Sequence, residues 1–308
     1  MTLHVISKKV GISAKELIVL LQELSDEKLS FTALVSKTGL SIETLKKLKK
    51  EAPSLFLPIP NFFVLSQKGK EELGRAMSEK GEFKEEYSEK VLGFYNELEK
   101  TRPAPERSFD QFYSTPETQV KRLKFFIEKA DLKNSSFLVL GDDDLTSVCL
   151  GITNLVQRLA VCDIDQRQLD LIYSLSKKFR FEADTYHFDF KRPMLSELKA
   201  KFDVVFTDPP YTKEGFRLFL DKAFSALNRT NGRIYICFGS SERSPERYLP
   251  IQEAINDYRL VIEEVHKNFN AYTGAESVGN RSSLYVLRPT PSSKSGRKVN
   301  LERIYTYE

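Results

Sequence analysis

Two acidic corners carry the chemistry open to this sequence. Gly141-Asp142-Asp143-Asp144 follows the apolar run Phe137-Leu138-Val139-Leu140, and Asp208-Pro209-Pro210-Tyr211 follows Val204-Val205-Phe206-Thr207. An apolar run that stops on acid reads as a buried parallel strand, and in an open α/β sheet ligands sit beyond the strand carboxyl ends. Both corners are therefore expected to face one pocket. The usual nucleotide corner has Gly-x-Gly because the backbone must come close to the ligand; here one Gly precedes three Asp. Adjacent carboxylates repel an anionic guest and attract an ammonium group, so the cup suits a polycation.

A third acid closes the strand Arg158-Leu159-Ala160-Val161-Cys162-Asp163. At the end of the second strand of such a sheet an acid commonly accepts both hydroxyls of a ribose, and Asp165 just beyond leaves room for an adenosine. After the third strand, Asp189 in His187-Phe188-Asp189-Phe190 is placed to accept an adenine amino group while Phe190 covers the ring. The adenosine of a sulfonium donor meets these requirements. His4, His187 and His266 include no pair at helical spacing, so metal hydrolysis and Ser-His-Asp chemistry are poorly served and no metal site is expected. Cys149, Cys162 and Cys237, odd in number and set in apolar context, suit reduced buried thiols.

Positioning these corners takes alternating strands and helices. Thr115 as cap and Pro116 at the first helical position open a helix through Val120, Leu123, Phe126 and Ile127. A helix from Ser147 to Gln157, a short strand near Ala183 to Phe190, a turn at Asn231-Gly232 and closing strands near Leu260 to His266 and Ser282 to Leu287 complete the pattern. The predicted fold class is α/β, a Rossmann-like, doubly wound parallel sheet of seven strands with an antiparallel final hairpin. From Thr290 the tail reads as mobile until Leu301-Glu302-Arg303-Ile304-Tyr305, where Glu302 and Tyr305 are within reach of a cationic guest.

A helical stripe from about Ser13 to Leu24, a turn at Thr38-Gly39-Leu40, a helix capped by Ser41 and two short strands over Phe56 to Leu65 predict a winged-helix domain over residues 1–75. Glu71 to Lys100 is dense in Glu and Lys, and Arg102-Pro103-Ala104-Pro105 punctuates the chain, so residues 76–108 read as a helical linker before a catalytic domain over 109–308. A length of 308 residues with 41% hydrophobic content fits two domains. No apolar run approaches the ~20 residues of a membrane helix, and the amino terminus lacks a signal-peptide layout, so a cytoplasmic protein is expected. Lys and Arg total 47 against 43 Asp and Glu, an excess of +4 that is too slight to argue for nucleic acid. The third helix carries Lys46, Lys47, Lys49 and Lys50 but lies among Glu residues. We therefore read the head as accessory, a contact for a homodimer.

The pairing of the two corners, behind a winged-helix head and a Pro-rich linker, resembles the branched-chain polyamine synthases, the N4-bis(aminopropyl)spermidine synthase family. The likeness covers nearly the whole chain. Asp-Pro-Pro-Tyr alone is shared with amino-group methyltransferases; the two motifs together are far more specific. The resemblance implies a spermidine-synthase-type fold and no prosthetic group. It implies decarboxylated S-adenosylmethionine as co-substrate, a donor that has lost the carboxylate an Asp cluster repels. The internal secondary amine of spermidine would attack the carbon next to the sulfonium and release methylthioadenosine, and a second transfer to the same nitrogen would give a quaternary product.

On this reading Asp144 takes the amine proton, Asp142 and Asp143 hold ammonium ends, and Asp208 accepts from the amine at a turn fixed by Pro209 and Pro210. Tyr211 offers a cation-π face worth about 0.5 to 2 kcal/mol. Gly141, Asp142, Asp143, Asp163, Asp165, Asp189 and Phe190 form the donor side, with Gln111 and Tyr113 as a lid; Asp144, Asp208, Pro209 and Tyr211 form the acceptor side. Two other classes stand beside it: an N-methyltransferase acting on a nucleic-acid amino group, and a DNA-binding regulator whose α/β part senses polyamines. The missing Gly-x-Gly and the lack of a basic stripe weigh against the first. Acids at every expected chemical position weigh against the second.

Overall fold

The computed structural model describes residues 3–12, 14–80, 82–98, 101–230, 232–239, 244–274 and 279–306; of the positions named above, Ser13, Lys100 and Asn231 lie outside them. The chain divides into two compact units, residues 1–81 and 82–308.

The first unit comprises α1 (Leu3–Val10), α2 (Ala14–Glu23), β1 (Leu29–Ser30), α3 (Phe31–Thr38), α4 (Ile42–Glu51), β2 (Phe62–Phe63) and α5 (Gln67–Lys80). Its core is the leucine stripe Leu17, Leu20, Leu21, Leu34, Leu45 and Leu48. Ser30 and Ser41 cap α3 and α4 by accepting from Ala33 N and Thr44 N. β1 and β2 pair antiparallel, and a bridge joins Phe56 to Leu65. Within α4, Lys49 donates to the carbonyls of Ile59 and Phe62, both at 2.7 Å, and lies 5.1 Å from the Phe63 ring centroid. Lys46 pairs with Glu43. Half of the basic set on this helix is thus spent inside the unit.

The second unit opens with α6 (Glu85–Leu98), α7 (Pro116–Glu128), β3 (Ser136–Leu140), α8 (Thr146–Ile152), β4 (Arg158–Asp163), α9 (Gln166–Phe179) and β5 (Asp184–His187). It continues with β6 (Val204–Thr207), α10 (Lys213–Ala226), β7 (Arg233–Phe238), α11 (Leu249–Asp257), β8 (Val261–Ala271) and β9 (Arg281–Arg288). The sheet order is β5-β4-β3-β6-β7-β9-β8, with β9 antiparallel to both neighbours and the other pairs parallel. Alternate residues of each strand go to opposite faces. Phe137 and Val139 pack with α6 to α9, whereas Leu138 and Leu140 pack with α10 and α11. Covered on both sides, β3 needs the near-continuous apolar run that its sequence shows. Cys149, Cys162 and Cys237 are free thiols buried in these layers.

Four expectations change. Residues 85–98, read as linker, form a core helix whose Tyr87, Val91, Phe94, Tyr95 and Leu98 are buried; the helical stripe is masked in sequence by Glu and Lys on the other face. The helix expected to reach Gln157 ends at Ile152, and Asn154 turns left-handed at φ 53. β8 is longer than expected because register shifts at Ile262/Glu264 and His266/Asn270 interrupt its alternation. The tail is packed rather than loose: Ser293 Oγ donates to the Arg259 carbonyl at 2.8 Å, and Ile304 is fully buried. No helix among the described residues is long and apolar enough to cross a membrane.

Candidate active site

β3 and β6 are neighbours, so the loops that leave them start side by side. Gly141 turns out of β3 at φ 69, a left-handed backbone that favours glycine, and a Cβ there would sit 3.3 Å from the Phe219 ring. The second corner runs directly into α10, whose cap Thr212 accepts from Gly215 N at 2.9 Å.

The three acids of the first corner have different surroundings. Asp142 is fully buried, accepts from Ser147 N at 3.1 Å where α8 starts, and donates its own amide to Asp163 Oδ2 at 2.7 Å. Burial pushes its pKa up to about 7 in spite of the Ser147 bond. Asp144 is 3% exposed; its Oδ1 accepts from Ser114 N at 2.6 Å and its Oδ2 from Arg122 Nη1 at 2.7 Å. Asp143 alone has no protein donor on its carboxylate among the described residues. Burial raises its pKa well above the usual range, as do Asp144, Asp163 and Asp208, while Arg102 pulls the other way.

At the second corner Asp208 Oδ2 accepts from Arg122 Nη2 at 2.7 Å and from the Tyr272 hydroxyl at 2.6 Å, and its Oδ1 accepts from the Tyr211 hydroxyl at 2.8 Å. Burial raises the Asp208 pKa against the pull of Arg122. Arg122, wholly unexposed, therefore joins both corners. Asn270 Oδ1 accepts from its Nε at 2.8 Å, and the Phe206 ring lies 4.8 Å away. Burial works against the guanidinium charge, but Asp144 and Asp208 outweigh it and raise its pKa. One cation is shared by two carboxylates, so acid is in excess at the site, and Asp143 adds to that excess whenever it is ionised. The site is held together yet still attracts cations.

Two cavities meet at these residues and share Asp110, Asp143, Asp208 and Pro210. Gly141, Asp143, Asp163, Ile164, Phe190 and Phe219 shape the first, with Gln111 and Tyr305 at its edge. The Phe190 and Phe219 rings lie 4.4 Å apart. Asp144, Asp208, Pro209, Tyr211, Tyr272 and Phe112 shape the second, closed by Thr306. The tail reaches both: Thr306 N donates to Asp110 Oδ2 at 2.7 Å, and Tyr305 stacks at a tilt on Phe109. Glu302 is exposed and lines neither cavity. A wider cleft near the start of β4, lined by Asn154, Lys177 and Arg180, is remote from both acidic corners.

The expected donor residues Gly141, Asp143, Asp163, Phe190 and Gln111 line the first cavity, and all four expected acceptor residues line the second. Four others do not reach either cavity. Asp142 caps α8. Asp165 caps α9 and binds Arg167 and Gln111; burial opposes its charge, but these donors prevail and lower its pKa. Asp189 accepts from Lys191 N within its own turn. Tyr113, expected as a lid, is held from behind by the Pro103 carbonyl and Gln168. Asp144, expected to take a proton, has each oxygen filled by a protein donor. Sequence reasoning missed Arg122, Ser114, Asp110 and Tyr272. Arg122 left a trace: it lies on the inward stripe of α7 with Gln119, Leu123 and Phe126.

Asp142 and Asp163, the latter pushed up to about 6 by burial against its backbone bonds, have folded pKa values above the ordinary carboxylate value. Such groups contribute stability that is fully present below about pH 4 and lost as pH rises through 6 to 7. Asp142→Asn keeps an oxygen for Ser147 N and removes the charge. Between pH 5 and pH 8 its unfolding free energy, from urea denaturation, is expected to fall less than that of the wild type, by a difference on the order of 1 kcal/mol; an equal fall in both proteins would refute the assignment.

Residues 90–304 match the family described as Branched-chain polyamine synthase A C-terminal domain. An uncharacterized protein of Methanocaldococcus jannaschii is 36% identical over 222 residues, 72% of this chain and 56% of that protein. The N(4)-bis(aminopropyl)spermidine synthase of Thermococcus kodakarensis is 36% identical over 184 residues, 59% of this chain and 52% of that enzyme. The chain thus spans about half the length of the curated relatives it matches. Among solved structures, the branched-chain polyamine synthase from Thermus thermophilus, in complex with N4-aminopropylspermidine and 5'-methylthioadenosine, superposes with a TM-score of 0.60 at 20% identity over 96% of each chain. With a family match that covers most of its length and a sheet of the same architecture, the chain belongs to the branched-chain polyamine synthase family.

Proposed function

We propose that the protein transfers aminopropyl groups from decarboxylated S-adenosylmethionine to the internal secondary amine of spermidine, giving N4-aminopropylspermidine and then N4-bis(aminopropyl)spermidine. The observation that carries this reading is the uncommitted carboxylate of Asp143, set where an aromatic cavity with Asp163 meets an acidic one with Tyr211. Adenosine fits the first cavity, with Asp163 on the ribose and Phe190 against the base. A polyamine fits the second, where the excess of acid and the Tyr211 ring favour ammonium groups.

The acceptor nitrogen forms a bond to the propyl carbon as the carbon–sulfur bond breaks, and the sulfonium leaves as neutral methylthioadenosine. In each round the nitrogen must lack its proton before it attacks. Asp143, whose carboxylate has no protein donor among the described residues and whose proton affinity is raised by burial, takes that proton in place of Asp144. Asp144 and Asp208, locked by Arg122, shape the field and hold the amine. A donor that kept its carboxylate would bring a like charge beside Asp143, so the decarboxylated sulfonium is preferred. The lysines spent within the first unit favour a polyamine over a nucleic acid as partner. That unit is read as an accessory winged helix of a cytoplasmic homodimer.

Incubation with spermidine and each sulfonium donor, followed by mass spectrometry, tests the reading. One and two added aminopropyl units with the decarboxylated donor are expected. A gained methyl from S-adenosylmethionine would point to a methyltransferase, and no change to a sensor. Asp163→Ala should weaken methylthioadenosine binding about 10- to 100-fold, the equivalent of one or two hydrogen bonds to a charged group. Unchanged affinity by calorimetry would remove Asp163 from the ribose.

A further inference from the structure

Arg102 sits behind the first acidic corner, in the segment that the sequence marks only as a boundary. Its Nη2 donates to the backbone carbonyl of Asp143, and the Tyr95 hydroxyl donates to the next carbonyl, that of Asp144. The guanidinium carbon lies over the Tyr113 ring, 3.4 Å from its centroid, and 5.7 Å from that of Tyr95. Tyr113 is itself fixed by donating to the Pro103 carbonyl at 2.8 Å and accepting from Gln168 Nε2 at 2.9 Å. No carboxylate pairs with Arg102 among the described residues, and its Nε is buried without a partner. An unpaired cation held this rigidly has its field directed at the nearest anions.

We propose that Arg102 is a positioning residue that sets the protonation range of Asp143, through its charge and through its hold on the Asp143 backbone. The groups that face Asp143 make the balance plain. Asp142 and Asp144 flank it, Asp163 approaches from β4, Asp208 with Tyr211 from the β6 corner, and Asp110 from the cavity wall. Burial, Asp144, Asp163 and Asp208 push its proton affinity up. Arg122 is already shared between Asp144 and Asp208, which leaves Arg102 as the cation that acts on Asp143. Without it, the proton affinity of Asp143 would rise further. The acidic corner needs a counter-charge that does not enter the cavity, because a cation inside would repel the guest; stacking on Tyr113 behind the loop supplies one.

This inference rests on the role proposed for Asp143, so its test reads the titration directly as well as turnover. The protein is labelled with 13C at the aspartate carboxyl carbons, and the Asp143 resonance is assigned as the one missing in Asp143→Asn. Arg102→Gln can still donate a hydrogen bond but lacks the charge; Arg102→Lys keeps the charge. In Arg102→Gln the Asp143 midpoint should move about 1 pH unit alkaline, as expected for loss of a nearby opposite charge. In Arg102→Lys it should stay close to wild type. The acidic limb of kcat/KM for aminopropyl transfer should move with it, and the titration of the substrate amine is common to all three proteins. An unmoved midpoint in Arg102→Gln, or equal movement in both variants, would overturn the inference. A shifted midpoint in a protein that transfers no aminopropyl group would leave Arg102 in this role and bring down the proposed reaction instead.

Discussion

Asp143→Asn is expected to slow aminopropyl transfer to spermidine by about 10²- to 10⁴-fold, the range that a positioned proton acceptor contributes, without loss of stability. The two halves of this expectation have one cause. The Asp143 carboxylate has acids around it and no protein donor on it, so the fold does not depend on its charge. Neutralising it removes repulsion, and the urea midpoint at pH 8 should hold or rise. Methylthioadenosine affinity should remain within a few-fold, because Asp163 and the Phe190 ring are untouched. Both transfers should suffer, since the secondary amine of spermidine and the tertiary amine of the first product must each lose a proton before attack.

Asp144→Asn offers the contrast. Its oxygens hold Ser114 N and Arg122, so that variant should lose stability together with activity. Near-normal turnover by Asp143→Asn, measured by mass spectrometry of the polyamine products, would take Asp143 out of the chemistry. A loss of activity matched by a loss of stability would make it a structural residue like its neighbours.

The sheet was legible because each central strand is a continuous apolar run that ends on a turn, and the acidic corners were legible because strand ends are where such turns lie. Which acid does what was not. Asp142, Asp143 and Asp144 are chemically identical in sequence, and they differ by what other segments bring to them: Ser147 from the adjoining α8, and, from far along the chain, Ser114 and Arg122 from around α7 and Arg102 from the segment before it. Asp165 and Asp189 illustrate the same limit, since an acid after a strand serves equally as a helix or turn cap. Tyr272 was hidden for another reason. It follows the irregular strand β8, where bulges erase the alternation that would have marked an inward side chain.

The largest stability effect is expected from Arg122→Met, which should cost about 3–5 kcal/mol, as does breaking a buried ion pair by removing one partner. The replacement keeps much of the volume over Phe206 but leaves Asp144 and Asp208, 4% and 9% exposed at their side chains, without a cation. The pH dependence separates this cause from simple misfit. Burial already raises the Asp208 pKa against the pull of Arg122, and without the guanidinium it should rise further. A folded pKa above the unfolded one gives stability that is present at low pH and lost as pH rises through the folded value. The deficit of Arg122→Met relative to wild type should therefore be smaller at pH 5 than at pH 8, and adding Asp208→Asn should recover part of it at pH 8. A deficit that is the same at both pH values, measured by urea denaturation, would mean that lost packing accounts for it. The link that Arg122 makes between the two corners would then be geometric and not electrostatic.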